Sequence, residues 1–262
     1  MNNLLNSLII FLFQRRNTKF SFFFKYLKKI FLKKYKEIYF DKQFTEKASK
    51  LYWGRTGGFQ HAKDQIGKTE KDWKKRYEIF YKIGNKLINE KPDNKILEIG
   101  CSAGQWVKRL NINESTNHYL GIDINQESIN LANKLFLENK NINFKCMNVY
   151  DLYKKKINNL KMTEFNIVLC CQTLFFLNTD FLINFFSNLF EGTQVLIYEP
   201  VNKNFLKKNE STLLNDPESK TRIGISHNYI DVFYKLNYKI KYKSIIDGGN
   251  LSSICLHVIK SQ

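Results

Sequence analysis

No two cysteines in this 262-residue chain stand at zinc-knuckle or C-x-x-C spacing, and no cluster of His, Cys, Asp or Glu has metal-ligand spacing. A metal-dependent mechanism and a secreted disulfide framework are therefore both disfavoured. The five cysteines, Cys101, Cys146, Cys170, Cys171 and Cys255, are odd in number and fall mostly in apolar runs, as reduced core residues of a cytoplasmic protein do. Long apolar runs are missing too. Leu4 to Phe13 is broken by Asn6 and Ser7, falls short of the ~20 residues a bilayer span needs, and has neither a preceding basic residue nor a cleavage site of small residues. Internal repeats and low-complexity linkers are also lacking. With 43% hydrophobic and 15% aromatic residues, the chain suits one α/β domain plus an extension.

Acidic residues are scarce at the front. Residues 1–90 hold 21 Lys+Arg against 8 Asp+Glu, so most of the net charge of +18 sits there. Such a bias suits nucleic acid or an anionic membrane surface, although the plentiful Lys, Asn, Ile and Phe also fit a coding bias with no specific partner. Within this region Phe20, Phe24, Leu27, Phe31, Tyr35 and Ile38 recur at spacings of three and four among lysines, the pattern of a basic amphipathic helix. Its use is either as a cap packed on the main domain or as a peripheral contact to an anionic membrane through Phe20 to Ile38. Leu51 to His61 carries three glycines among aromatic and polar residues and reads as an irregular loop or lid. Helical spacing returns from Lys71 to Asn89. The division expected from these changes is a basic helical extension over residues 1–84 and a second unit over 85–262.

From Lys95 the pattern alternates. Strands are expected at Lys95 to Ile99, His118 to Ile122, Ile142 to Cys146, Phe165 to Cys171 and Gln194 to Tyr198. Helical segments begin between them near Gly104, Gln126, Tyr150 and Asp180. This order implies a parallel sheet covered by helices. After a helix around Asn228 to Leu236 come two strand-like runs, Tyr238 to Ile246 and Ser252 to Val258, joined by Asp247-Gly-Gly-Asn250 as in a hairpin.

The most informative stretch is Lys95 to Trp106, KILEIGCSAGQW, a buried strand running into a glycine-bearing turn. Glu98 stands two residues before Gly100, where a carboxylate would repel a pyrophosphate, and the dinucleotide pattern G-x-G-x-x-G is absent. A ligand with hydroxyls or a positive charge suits the acid better. Asp123, 25 residues after Glu98 and at the end of the second expected strand, is placed to accept hydrogen bonds from ribose hydroxyls.

With these blocks the chain resembles the class I S-adenosylmethionine-dependent methyltransferases, over roughly Asn85 to Ile259. The resemblance implies an α/β, Rossmann-like seven-stranded sheet of order 3-2-1-4-5-7-6 with the last strand antiparallel. It places Glu98, Gly100, Ser102 and Gly104 along the methionine part of the cofactor, Asp123 on the ribose and Ile124 beside the adenine. Asn148 stands where an Asp commonly holds the adenine amino group, with Val149 next to it. Cys171 lies in the fourth-strand block, Phe165 to Leu177, and Gly192 to Pro200 is similar to the fifth. Ser102 replaces the usual second glycine. Where many relatives carry Glu-His-Leu, this chain has Phe175-Phe-Leu177, so no histidine is carried over there.

The implied activity is transfer of a methyl group from S-adenosyl-L-methionine to a small molecule or glycan precursor, at oxygen, by in-line displacement. A hydroxyl acceptor needs a base, and the candidates are His227, after the fifth strand, and His61, in the glycine-rich loop. His118 and His257 lie in or beside strands as structural residues. Glu199 either orients substrate or finishes a turn before Pro200. Nucleic acid is the runner-up acceptor, supported by the basic front but lacking the Asp/Asn-Pro-Pro-aromatic motif of base amine methylation. A non-catalytic membrane-associated module on the same fold is the alternative of another class, and an oxidoreductase ranks below both.

Overall fold

The computed structural model describes Trp53 and residues 56–152, 164–202, 212–213, 224–247 and 252–261. The amphipathic helix and membrane contact expected at Phe20 to Ile38, with the rest of residues 1–52, lie outside the described residues. Among those described, no helix is long and apolar enough to cross a membrane.

Seven strands make one sheet: β1 Lys95–Ile99, β2 His118–Asp123, β3 Ile142–Cys146, β4 Ile167–Cys171, β5 Gln194–Val201, β6 Tyr238–Ile246 and β7 Ser252–Lys260. Their order is 3-2-1-4-5-7-6, with β1 to β5 parallel and β7 antiparallel to β5 and β6. Order and direction match the sequence expectation, and strand ends differ by at most three residues. A two-residue ladder, Thr212–Leu213 with Ile225–Ser226, stands apart from this sheet.

Alternation along each strand divides the core into two faces. On one, Leu97, Ile99, Val168, Cys170, Val195 and Ile197 meet Phe181, Phe185 and Phe186 of helix α5 (Thr179–Ser187) and Tyr229 and Phe233 of α6 (Tyr229–Lys235). On the other, Ile96, Tyr119, Ile167, Leu169 and Tyr198 meet helices α2 (Glu70–Asn89), α3 (Gln105–Arg109) and α4 (Gln126–Leu135). The Thr69 hydroxyl accepts the Asp72 N–H to cap α2, and Trp73, Tyr77, Phe80, Gly84, Leu87 and Ile88 form its buried stripe. Phe80 and Trp106 pack with ring centroids 4.6 Å apart. The boundary expected at residues 84–85 thus falls inside α2, whose buried face belongs to the core of the sheet.

Two expectations need correction. Leu51 to His61 is not wholly irregular, because Thr56–Ile66 forms helix α1. Packing overrides the low helical propensity of its glycines: a Cβ at Gly58 would lie 2.1 Å from the Trp53 carbonyl oxygen and 3.0 Å from Asn125 Nδ2. Nor are all cysteines core residues, since Cys146 is exposed and Cys171 only half-buried, and all five are free.

Candidate functional site

A cavity of about 330 Å³ opens at the carboxyl ends of β1, β2 and β4. The chain leaves β1 toward β2 on one side and leaves β4 toward β5 on the other, so the loops diverge there and leave a crevice. Its walls include Gly100, Ser102, Asp123, Ile124, Asn148, Val149 and Cys171, contributed by the ends of four strands and their loops, together with His61 and Trp53. Glu98, Gly104 and His227 do not line it.

Each loop is held by a side chain from a neighbouring strand. Asp123 Oδ2 accepts the Ser102 N–H at 2.9 Å and Oδ1 accepts the Asn125 N–H at 2.9 Å. Burial raises the Asp123 pKa, while the N–H donors of Asn125, Ser102 and Ile124 pull it down. Ser102 is at φ +53°, and its N–H bond to Asp123 fixes a residue with a side chain where the backbone favours glycine. Gly100 is at φ +74°, and a Cβ there would come within 2.0 Å of Thr173 Oγ1. Its missing side chain therefore admits the loop after β4 as well as opening space for a ligand.

That second loop is held from β5. Glu199 Oε1 accepts the N–H groups of Thr173 at 2.9 Å and Leu174 at 3.1 Å, and Oε2 accepts that of Phe175 at 3.4 Å. Burial raises the Glu199 pKa to about 8 against the downward pull of these donors. His227 fastens the far end of the same loop, with Nε2–H donating to the Leu177 carbonyl at 2.9 Å and Nδ1 accepting from the Thr179 hydroxyl at 3.2 Å. Burial lowers its pKa to about 4. A fully buried, neutral imidazole with both nitrogens engaged is a structural brace, and it does not reach the cavity where a base would act.

Glu98 sits behind the cavity wall. The Tyr119 hydroxyl donates to Oε2 at 2.6 Å, and Oε1 is buried with no partner. Desolvation raises its pKa to about 8, with the Tyr119 hydrogen bond opposing. Gly121 makes this contact feasible, because a Cβ there would meet Cys101 Sγ and Tyr119 Oη at 2.8 Å. Asn148 accepts the Tyr150 N–H at 3.1 Å and starts the 3₁₀ turn Val149–Asp151. His61 is exposed at the mouth, edge-on to Trp53 with centroids 5.6 Å apart, and Trp53 meets Phe176 at 5.3 Å. His118 is exposed at the start of β2, and His257 Nε2 pairs with Gln194 Oε1 at 3.0 Å.

Several lining residues were missed by sequence reasoning. The Gln172 backbone is at φ +57°; its Oε1 accepts from Tyr77 Oη at 3.3 Å and its Nε2 is buried without a partner. Gln105 Oε1 is likewise buried and unpartnered. Arg109 lies between Trp73 and Trp106, its guanidinium carbon 5.0 and 5.1 Å from their ring centroids, and donates to the Gln65 carbonyl at 2.8 Å. The four-residue spacing of Gln105 and Arg109, which puts them on one helix face, is the one sequence signal that could have linked them.

Residues 96–193 match the family model described as a methyltransferase domain. Among solved structures, the chain is similar to magnesium protoporphyrin IX methyltransferase from Synechocystis PCC 6803 with bound SAH (TM-score 0.59, 16% identity, 84% of this chain and 100% of that one). It is also similar to geranyl diphosphate C-methyltransferase from Streptomyces coelicolor A3(2) (TM-score 0.58, 9% identity, 82% and 98%). A third similar structure is the [4+2]-cyclase SpnF (TM-score 0.54, 12% identity, 72% and 82%), so at such identities the likeness speaks to fold. No curated protein sequence gives a significant match.

The buried carboxyls give a signed pH dependence. Glu98 and Glu199 are each raised from an ordinary 4.5 to about 8, so the folded state holds more protons than the unfolded chain between those values and stability falls as pH rises. His227 acts oppositely but only between about 4 and its ordinary 6.5. Above pH 6.5 the carboxyls dominate. Urea unfolding of the Glu98→Gln variant from pH 6.5 to 8 should therefore show a shallower loss of stability than the parent, and an unchanged slope would contradict the assignment.

Proposed function

We propose that the protein is a class I S-adenosylmethionine-dependent methyltransferase that transfers a methyl group to a hydroxyl of a small molecule or glycan precursor, by in-line displacement; the match of residues 96–193 to the methyltransferase-domain model and the seven-stranded sheet support this reading. The observation that carries this reading is the single cavity bringing together Gly100, Ser102, Asp123, Ile124, Asn148, Val149 and Cys171. Two of the structural neighbours are named for small-molecule acceptors, a porphyrin and a prenyl diphosphate, which supports an acceptor of that size.

The residues present fit S-adenosylmethionine. Asp123 Oδ2 takes the Ser102 N–H and Oδ1 the Asn125 N–H, and the carboxylate keeps lone pairs for the ribose hydroxyls. Ile124 and Val149 would enclose the adenine, with Asn148 at its polar edge. At the other end, the unpartnered Gln105 Oε1 is an acceptor suited to an ammonium and the unpartnered Gln172 Nε2 a donor suited to a carboxylate. Those are the two groups of the methionine moiety. Glu98 contributes from behind the wall by fixing the floor of the turn.

The cofactor supplies a sulfonium methyl group that is already activated. The chain then has to align the acceptor oxygen, keep water out and remove one proton. Trp53 and Phe176 form an aromatic rim suited to excluding water. His61, the one histidine among the described lining residues, is the base of this reading. His227 serves instead to hold Leu177 and Thr179.

S-adenosylhomocysteine should raise the Tm of the full chain while NAD does not. Asp123→Ala should weaken S-adenosylhomocysteine binding by about tenfold or more in calorimetry, since two ribose hydrogen bonds at ~1 kcal/mol each are lost. Stabilisation by NAD alone would overturn the reading. His61→Ala should leave S-adenosylhomocysteine affinity unchanged and lower kcat for a hydroxyl acceptor by about 10²–10⁴; an unaffected rate would remove His61 as the base.

A further inference from the structure

Beside the first cavity lies a second, of about 390 Å³, between the turn joining α1 to α2 and the far end of α3. The two share Gln65, Gln105 and Arg109 in their walls. The second cavity is lined by three cations, Lys68, Lys108 and Arg109, against one acid, Glu70. Glu70 is already taken, because its carboxylate receives Lys74 Nζ at 2.6 Å.

None of the three cations makes an ion pair among the described residues. Arg109 is the informative one, since it is half-buried, clamped between two indoles and bonded to a single backbone carbonyl. A guanidinium desolvated to that degree is costly unless an anion meets it, and its rigid fork suits the oxygens of a carboxylate or phosphate. Lys68 shows the same unbalanced field: burial, then Arg76 and Arg109, hold its ammonium below the usual lysine range, with Asp72 and Asp64 opposing more weakly. An added anion would offset the repulsion from Arg76 and Arg109.

The geometry of α1 connects this site to the chemistry. His61 and Gln65 are four residues apart on α1, so they lie on one helix face about 6 Å apart along the axis. His61 lines the first cavity and Gln65 lines both. An acceptor lying along that face would place its reacting hydroxyl near His61 and its other end at Lys68 and Lys108.

We propose that the second cavity is an anion site for the methyl acceptor, taking a phosphate or carboxylate on Lys68, Lys108 and Arg109. The site rests on the methyltransferase reading only for the identity of its occupant. The other source of the same chemistry is the carboxylate of the cofactor, and the two differ in whether an added anion and S-adenosylhomocysteine bind together.

The test is calorimetric titration of inorganic phosphate into the full chain, free and saturated with S-adenosylhomocysteine, at ionic strength matched with sodium chloride. Phosphate should bind both forms with the same Kd. In the Lys68→Ser/Lys108→Ser double variant, phosphate affinity should fall at least tenfold while that for S-adenosylhomocysteine stays within twofold. Competition between the two ligands would assign Arg109 to the cofactor carboxylate and overturn the proposal, as would undiminished phosphate binding by the double variant. Phosphate binding that depends on both lysines, in a protein that fails to bind S-adenosylhomocysteine, would uphold the anion site and overturn the cofactor reading instead.

Discussion

Two acidic side chains at strand ends, half-buried Asp123 and buried Glu199, hold the site in shape. Asp123, closing β2, accepts the Ser102 N–H in the turn after β1, and Glu199, near the end of β5, accepts three consecutive N–H groups in the loop after β4. In each case an acid on one strand captures the loop of its neighbour. A parallel sheet needs such ties, because its loops leave the strand ends with unpaired N–H groups and no hairpin to satisfy them. The cavity is the space left between the two captured loops.

The captured loops also fit each other. Gly100 has no side chain, and Thr173 occupies the place a Cβ would need, so the turn after β1 and the loop after β4 interlock above the crevice. His227 then braces the distal part of the second loop through Leu177 and Thr179. Around this frame α1, α2 and α3 contribute His61, Tyr77 and Arg109 to the wall, and Trp53 with Phe176 of the loop after β4 forms the aromatic rim. Strand-end acids shape the crevice itself, and in the function proposed above the helices at the front shape its acceptor end.

The sheet was legible because its signal is periodic. Short β-rich runs at even spacing, each followed by a helical pattern, specify a parallel sheet, and the terminal hairpin followed from two alternating runs around glycines. Asp123 was legible for a related reason, since its position at a strand end is set by the sheet itself. Helix α1 was not legible: Thr56, Gly57 and Gly58 are poor helix formers, and the close approach of Trp53 and Asn125 that favours a glycine there is a tertiary fact. Glu98 was found for its charge but assigned to the wrong side of the wall. Its contact with Tyr119 depends on the register that sets Glu98 beside Gly121, which no single strand discloses. His227 looked like a base because it follows the fifth strand, where relatives of this fold often build substrate pockets, yet burial and two hydrogen bonds leave it none of the freedom a base requires. Arg109 and Gln172 were missed since one is a basic residue among many and the other's strained backbone has no sequence signature.

In the function proposed above, the crevice between the two captured loops holds S-adenosylmethionine with its reactive end toward Trp53, His61 and Phe176. A crystal structure of the full chain with S-adenosylhomocysteine tests it most directly. The expected result is ribose hydroxyls on Asp123, adenine between Ile124 and Val149, and sulfur facing the aromatic rim. Ligand bound elsewhere, or lying in the crevice with its sulfur turned away from His61, would contradict it.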